Sequence, residues 1–321
     1  MKIGLLTVLY ADQPLEAVLD RVAALGLDAV ELGTGNYPGD AHCPATALVA
    51  DPPAARALRD AVAARGLTIS ALSCHGNPLH PDPAIAQAHH ATWEDTLRLA
   101  ELLEVEVVNT FSGCPGDGPD ARYPNWVTCA WPPDFEALLK WQWEERVIPY
   151  WSAAAEAAGR HGVTGIGLEM HPGFVVYNPE TLLALRAAAG ERIGANYDPS
   201  HLVWQGIDPV VAVRELTGAI VHAHAKDTFV DAQNVRRNGV LDTKPYDRVA
   251  DRAWTFRTVG YGHGESVWRD IVSALRVAGY DGTLSIEHED ILASRDEGLR
   301  RAVELLDRVV LREPAGEMWW S

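Results

Sequence analysis

Four short apolar runs end in side chains that bind divalent cations: Gly165-Ile166-Gly167-Leu168-Glu169-Met170-His171, Ile193-Gly194-Ala195-Asn196-Tyr197-Asp198, Val221-His222-Ala223-His224 and Leu284-Ser285-Ile286-Glu287-His288-Glu289. In chain order the central ligands are Glu169, Asp198, His224 and Glu287. Three carboxylates and one imidazole suit a hard or borderline dication, such as Mn²⁺, Mg²⁺, Co²⁺ or Zn²⁺. Each ligand stands at the C-terminal end of a strand-like run, which is where a (β/α)8 barrel builds its active site.

The flanking sequence agrees with that placement. Strands are expected near 2–8, 28–33, 68–75, 105–111, 164–170, 193–198, 220–225 and 283–288. Amphipathic helical patterns fall near 14–25, 53–65, 83–103, 134–161, 179–189, 208–216, 265–278 and 296–311. This strict alternation predicts a single-domain (β/α)8 TIM barrel over residues 1–311, followed by a C-terminal tail, 312–321. Gly26, Gly66, Gly162 and Gly279 follow the periodic stretches as helix-terminating glycines do. The connections after strands 4 and 7, about 111–133 and 227–264, are too long for simple turns and are expected to cover the barrel mouth. The tail ends in Trp319-Trp320, two indoles that are exposed unless something covers them.

Composition narrows the function classes. The chain has 321 residues, 47% of them hydrophobic, enough for a sizeable core, and a formal net charge of −17. That charge argues against nucleic acid or an anionic membrane as partner and disfavours a highly phosphorylated substrate. Cys43, Cys74, Cys114 and Cys129 form no CxxC pair and read as reduced thiols. The first residues enter a strand at once, with no secretory signal pattern, and no apolar run reaches spanning length; the expected location is cytoplasmic.

Alternation along a strand assigns further side chains to the mouth. Residues two apart share a face, so His171 accompanies Glu169, His222 accompanies His224, and Glu289 accompanies Glu287. His222 reads as a core or supporting histidine. Asp198 precedes Pro199 and also fits a helix N-cap. His201, three residues on, is a candidate for a substrate oxygen or a second metal. Ser73-Cys74-His75-Gly76-Asn77 brings His75 and Asn77 toward the same mouth as substrate contacts. Lys226 is placed either against a substrate oxygen or in an ion pair with a neighbouring carboxylate, and Arg257 in the second long loop is a further candidate for substrate binding.

These residues resemble the xylose-isomerase-like superfamily of sugar isomerases and epimerases. The most specific pieces are Leu168-Glu169-Met170-His171-Pro172-Gly173-Phe174, Asn196-Tyr197-Asp198-Pro199-Ser200-His201, His222-Ala223-His224-Ala225-Lys226-Asp227 and Ser285-Ile286-Glu287-His288-Glu289-Asp290. The family includes tagatose/psicose-type 3-epimerases, inosose isomerases and dehydratases, metal-dependent cleavers of 3-keto C-glycosides, and endonuclease IV-type repair enzymes. The resemblance implies that residues matching Glu169, Asp198, His224 and Glu287 hold one Mn²⁺-type ion, that the residue matching His201 meets substrate, and that the two glutamates act as acid and base. The implied activity is isomerisation or epimerisation of a free ketose, keto-sugar or inosose through an enediolate. His171 departs from the simple epimerases and supplies a further catalytic candidate. It keeps open a lyase that eliminates a β-substituent from a 3-keto-glycoside or dehydrates an inosose. The fourth strand ends in Asn109-Thr110 and no Asp-x-His follows His224, so the three-zinc repair chemistry is not expected. The implied partner is a small sugar or cyclitol, and barrels of this kind also form homo-oligomers or take accessory subunits.

Overall fold

The computed structural model describes residues 1–318 and Trp320. Its barrel strands are β1 (Lys2–Leu6), β2 (Ala29–Gly33), β3 (Thr68–Ser73), β4 (Val107–Thr110), β5 (Gly165–Glu169), β6 (Ile193–Tyr197), β7 (Ile220–Ala225) and β10 (Thr283–Ile286). Two further strands, β8 (Asp227–Val230) and β9 (Trp254–Arg257), pair antiparallel outside the barrel. The eight barrel strands run parallel and close in the order β1-β2-β3-β4-β5-β6-β7-β10. This is a (β/α)8 TIM barrel, with every strand in the expected place.

Local chemistry explains the helix boundaries. Helices Pro52–Ala63, Pro83–Leu103, Pro179–Ala189, Pro199–Val203 and Pro209–Glu215 all open on an Asp or Asn whose side chain accepts from a first-turn amide, followed by proline at the first helical position. The four expected terminator glycines adopt φ of 72, 72, 76 and 85°, which only glycine enters without cost. The stretch expected as one helix over 134–161 is divided into Pro133–Trp141, a π-helical turn at Gln142–Val147, and Ile148–Arg160. Pro149 supplies the reason: it lacks an amide hydrogen and crowds the carbonyl four residues back, so the helix widens rather than carrying a broken α turn.

The two long connections differ. Segment 227–264 folds into the β8–β9 hairpin with helix Ala232–Asn238 between its strands. Trp254 stacks on Trp204 with ring centres 4.6 Å apart, and the Arg252 guanidinium lies over both Trp254 and Tyr246. Segment 111–132 has no regular element but is tied down. Gln142 Nε2 donates to the carbonyls of Pro115, Gly116 and Asn125, and Trp151 Nε1 donates to Ser112 O. Beyond the last helix, Arg295–Val309, the Leu311 carbonyl accepts from the Met1 amino group, and Arg312 pairs with Asp28 and Asp307. Of the two tail indoles, Trp320 is exposed and Trp319 lies outside the described residues. Among the described residues, no helix is long and apolar enough to cross a membrane.

Strands β2, β3, β4, β6, β7 and β10 bring a polar layer into the barrel interior: Glu31, Ser73, Asn109, Asn196, His222, His224 and Ser285 are all buried. Gly167 makes room for it. A Cβ there would sit 2.2 Å from Asn109 Oδ1 and 3.2 Å from Asn196 Cβ. Gly167→Ala should therefore destabilise the fold by roughly 1–3 kcal/mol through overpacking, read as a lower urea midpoint at unchanged slope. An unchanged midpoint would show that the Asn109–Asn196 layer is not tightly packed.

Candidate metal centre

The C-terminal strand ends converge as the side-chain pattern requires. One ligand atom from each of Glu169, Asp198, His224 and Glu287 lies within 4.8 Å of all the others. Glu169 is the last residue of β5, His224 lies in β7, and Asp198 and Glu287 directly follow β6 and β10. The two oxygens of Asp198 stand in different surroundings. Oδ1 caps helix Pro199–Val203 by accepting from Ser200 N at 2.8 Å, while Oδ2 is buried and accepts no hydrogen bond. Glu287 Oε2 likewise lacks a well-aligned donor, although His224 Nδ1 lies 2.9 Å away. Buried carboxylate oxygens without donors are costly. Their number and type fit a hard dication held by these four residues.

The electrostatics point the same way. Burial raises the Asp198 pKa, and nearby Glu169 and Glu287 add to it against the pull of His201 and Lys226. Burial also works against charge on Glu169 and Glu287. On Glu169, hydrogen bonds to His201 and His75 outweigh it and hold the pKa well below the usual range. On Glu287, Lys226 and His224 bring the pKa down to about 2. Burial likewise opposes a charged His224, yet Glu31 and Glu287 raise its pKa well above the ordinary imidazole value. Imidazoles and the Lys226 ammonium thus offset part of the carboxylate charge.

Around the cluster, His201 Nε2 lies 3.1 Å from Glu169 Oε1 and 3.5 Å from Asp198 Oδ2. His75 Nε2 lies 3.1 Å from Glu169 Oε2, with its ring edge against Phe111. Buried Lys226 reaches Glu289 at 2.6 Å and Glu287 at 3.2 Å, and its ammonium sits 4.3 Å over the Phe256 ring. Its pKa is well above normal because Glu287 and Glu289 outweigh burial. His171 lies beside His201, ring centres 4.1 Å apart, with Nδ1 2.6 Å from Pro172 O. Burial, then the His201 ring, lowers its pKa to about 3, so it is neutral rather than poised near neutrality. Glu169, His171, His201, Lys226 and Glu287 all line a cavity of about 350 Å³ closed by Phe111, Tyr246, Thr255, Phe256, Glu289 and Ile291.

Two expected substrate contacts are placed elsewhere. Asn77 is buried among backbone groups: Oδ1 accepts from Cys114 N and Leu79 N, and Nδ2 donates to Cys114 O. It braces the loop after β4. Arg257 pairs with Asp290 at 3.1 Å and lies near the Tyr261 ring, outside the cavity lining. Of segment 111–133, only Phe111 reaches the cavity, whereas 227–264 contributes Tyr246, Thr255 and Phe256. His222, as expected of a supporting histidine, is fully enclosed: Nδ1 contacts Asn196 Oδ1 at 3.0 Å and Nε2 contacts Ser70 Oγ at 3.3 Å, and burial outweighs Glu31 to lower its pKa to about 4.

Glu31 was not anticipated. It sits fully buried in β2, 3.1 Å from His224 Nε2 through each carboxylate oxygen. Burial opposes its charge, but His224 and His222 keep its pKa well below the usual carboxylate range. The signal was present: Ala29-Val30-Glu31-Leu32-Gly33 is a carboxylate within an apolar strand, the same pattern that singled out Glu169.

A family model described as a xylose isomerase-like TIM barrel matches residues 19–309. The chain is 38% identical over 312 residues to the uncharacterized protein YfiH of Bacillus subtilis (strain 168), covering 97% of this chain and 99% of that protein. Its fold is similar to a probable 3-DHS dehydratase, AsbF, from Bacillus anthracis: TM-score 0.66 and 18% identity, over 96% of this chain and 99% of that one. A D-tagatose 3-epimerase-like protein gives a TM-score of 0.64 and 20% identity, over 96% and 98% of the two chains.

Asp198→Asn should no longer bind Mn²⁺ at concentrations that saturate the parent protein, because a neutral amide replaces one of three anionic donors. Binding to the parent should also release a proton, since a cation on Nδ1 must displace the one carried by His224. Affinity should therefore rise with pH while His224 remains protonated in the free protein. Calorimetry in buffers of different ionisation enthalpy reads both effects; proton-independent binding, or full binding by Asp198→Asn, would place the ion elsewhere.

Proposed function

Because the chain belongs to the xylose isomerase-like TIM barrel family, we propose that it is a divalent-metal-dependent isomerase or epimerase of a free ketose, keto-sugar or inosose. The observation that carries this reading is the convergence of Glu169, Asp198, His224 and Glu287 beneath a cavity of about 350 Å³ that also holds His171, His201 and Lys226. A bound dication, Mn²⁺ in this reading, supplies charge that polarises a substrate carbonyl and its neighbouring hydroxyl, acidifying the intervening C–H.

The chain's own groups would move the proton. Glu169, oriented by His75 and His201, and Glu287, oriented by Lys226, act as base and acid on the carbon next to the carbonyl. Each has a second oxygen for that work if the cation takes the first. His201 and Lys226 meet substrate hydroxyls, and Phe111 and Phe256 provide apolar walls that exclude water. His75 acts through Glu169, while Asn77 and Arg257 support the loops.

Cavity charge favours an unphosphorylated substrate. Among the described residues, Lys226 is the only Lys or Arg lining it and is already shared between Glu287 and Glu289, while Glu169, Glu287 and Glu289 contribute three carboxylates. Even a dication leaves no surplus positive charge for an anionic group. Hydroxyls, by contrast, find both donors and acceptors.

His171 favours a second reading, a lyase built on the same deprotonation. Its Nδ1 is committed to the Pro172 carbonyl, which leaves Nε2 as an acceptor inside the cavity. A neutral imidazole there can take or return a proton independently of the glutamates.

Mass spectrometry separates the two readings. With Mn²⁺ and a panel of free ketoses, inososes and 3-keto-glycosides in D₂O, an isomerase gives one product isomeric with its substrate and deuterium at the α-carbon. A second, smaller product would establish elimination instead. His171→Ala should keep Mn²⁺ binding and lose about 10²–10⁴-fold in turnover if His171 is an acid or base; full retained turnover would leave the glutamate pair sufficient.

A further inference from the structure

His224 is held through both ring nitrogens. Nδ1 faces the ligand cluster, 2.9 Å from Glu287 Oε2 and 3.4 Å from Glu169 Oε2. Nε2 faces the barrel interior, where both oxygens of Glu31 lie at 3.1 Å. The amide nitrogen of Asn196, 3.2 Å from Nε2, is itself a donor and cannot accept a proton from the ring. Among the described residues, Glu31 is therefore the acceptor available to Nε2–H.

We propose that Glu31 is a positioning residue of the metal centre: it keeps the proton of His224 on Nε2 and so presents Nδ1 as the lone-pair donor to a divalent cation. This rests on the metal-dependent reading above. A ligating imidazole whose second nitrogen donates to a carboxylate is fixed in tautomer and ring orientation and is the stronger donor.

The fold is arranged around that contact. Pairing between β2 and β3 shifts register between Val30 and Glu31, skipping Ser70, and a bulge of this kind re-aims the side chain beside it. Ser73 Oγ donates to Glu31 Oε1, and Asn109 Nδ2 donates to the same oxygen at 2.9 Å. Gly167 clears the space that Asn109 occupies. These donors leave Glu31 committed to its neighbours, so it reads as a support for His224 rather than as a ligand of a second ion. Burying a carboxylate this completely, away from the cavity, has no purpose in substrate contact.

The test compares the full-length parent, Glu31→Gln and Glu31→Ala. Free Mn²⁺ is followed by EPR during titration, and the imidazole ¹⁵N shifts of the Zn²⁺-loaded proteins report the tautomer. Near-UV circular dichroism checks that each variant is folded. The parent should show a protonated Nε2 and a metallated Nδ1. Glu31→Gln keeps an acceptor without the charge and should bind Mn²⁺ about 10–100-fold more weakly. Glu31→Ala should bind more weakly still and lose the fixed tautomer. If the alanine variant does not fold, the glutamine variant decides. Unchanged Mn²⁺ affinity in a folded variant, or metal on Nε2 in the parent, overturns the inference while leaving the metal site intact. A folded parent that binds neither ion overturns the inference and the metal-dependent reading together.

Discussion

The structure depends on concentrating negative charge where water cannot reach it. Glu169 and Asp198 are buried, Glu287 nearly so, and all three share one small cluster. Like charges this close, in a medium less polarisable than water, repel strongly unless cations or protons intervene. The chain answers with Lys226, a protonated His224 and the imidazoles of His75 and His201, each within 4 Å of at least one of the carboxylates. The offset is incomplete, because burial and the neighbouring glutamates still raise the Asp198 pKa. A dication would complete it, and on this ground the proposed reading takes the cluster as a binding site rather than as a set of structural ion pairs.

That requirement reaches into the barrel. Interiors of such barrels are usually packed with branched aliphatic side chains. Here the layer below the candidate ligands is polar, and its members are linked to one another: His222 to Asn196, Asn109 to Glu31, and Glu31 to His224. Two register shifts, one beside Glu31 and one beside Asn196, bring these side chains inward without ending the strands. A buried network linked in this way restrains its members, and that restraint helps keep the four candidate ligand side chains from different strands in register.

The sequence carried the fold well because its signals are local and repeated. Eight apolar runs, Asx–Pro helix starts and glycine stops each act over a few residues, and they agree with one another. The four ligands were readable for the same reason, since each ends its own run. Glu31 carries the same apolar-strand signal as Glu169, but its strand continues past it and its partner is 193 residues away, so it does not stand out as a strand-end residue does. Asn77 and Arg257 show the opposite failure. Both stand at the expected positions along the chain, but their side chains find closer partners, Cys114 and Asp290. Position along a strand or loop does not say which of two nearby acceptors a side chain meets. The hairpin within 227–264 was equally hidden. Its strands are only four residues each, and what holds them is a stack between Trp204 and Trp254, far apart in sequence.

The same hairpin bears on where selectivity resides. A long connection over a barrel mouth suggests a lid that closes on substrate, but this one is already packed. Phe256 is 6% exposed, its neighbour Trp254 is stacked on Trp204 and hydrogen-bonded to Val240 O, and Arg252 is enclosed between two aromatic rings. Moving Phe256 would mean dismantling that cluster, not swinging a hinge. Ile291, exposed by more than half, lines the cavity from outside that cluster. Ligand convergence at the strand ends and the wall built by the hairpin are thus separable parts of the molecule. In the proposed reading the strand ends would hold the cation and shift the proton, whereas the hairpin and the segment after β10 would decide which substrate fits. Barrel shape alone fixes neither, because one scaffold carries many chemistries and the side chains grafted on it supply the difference.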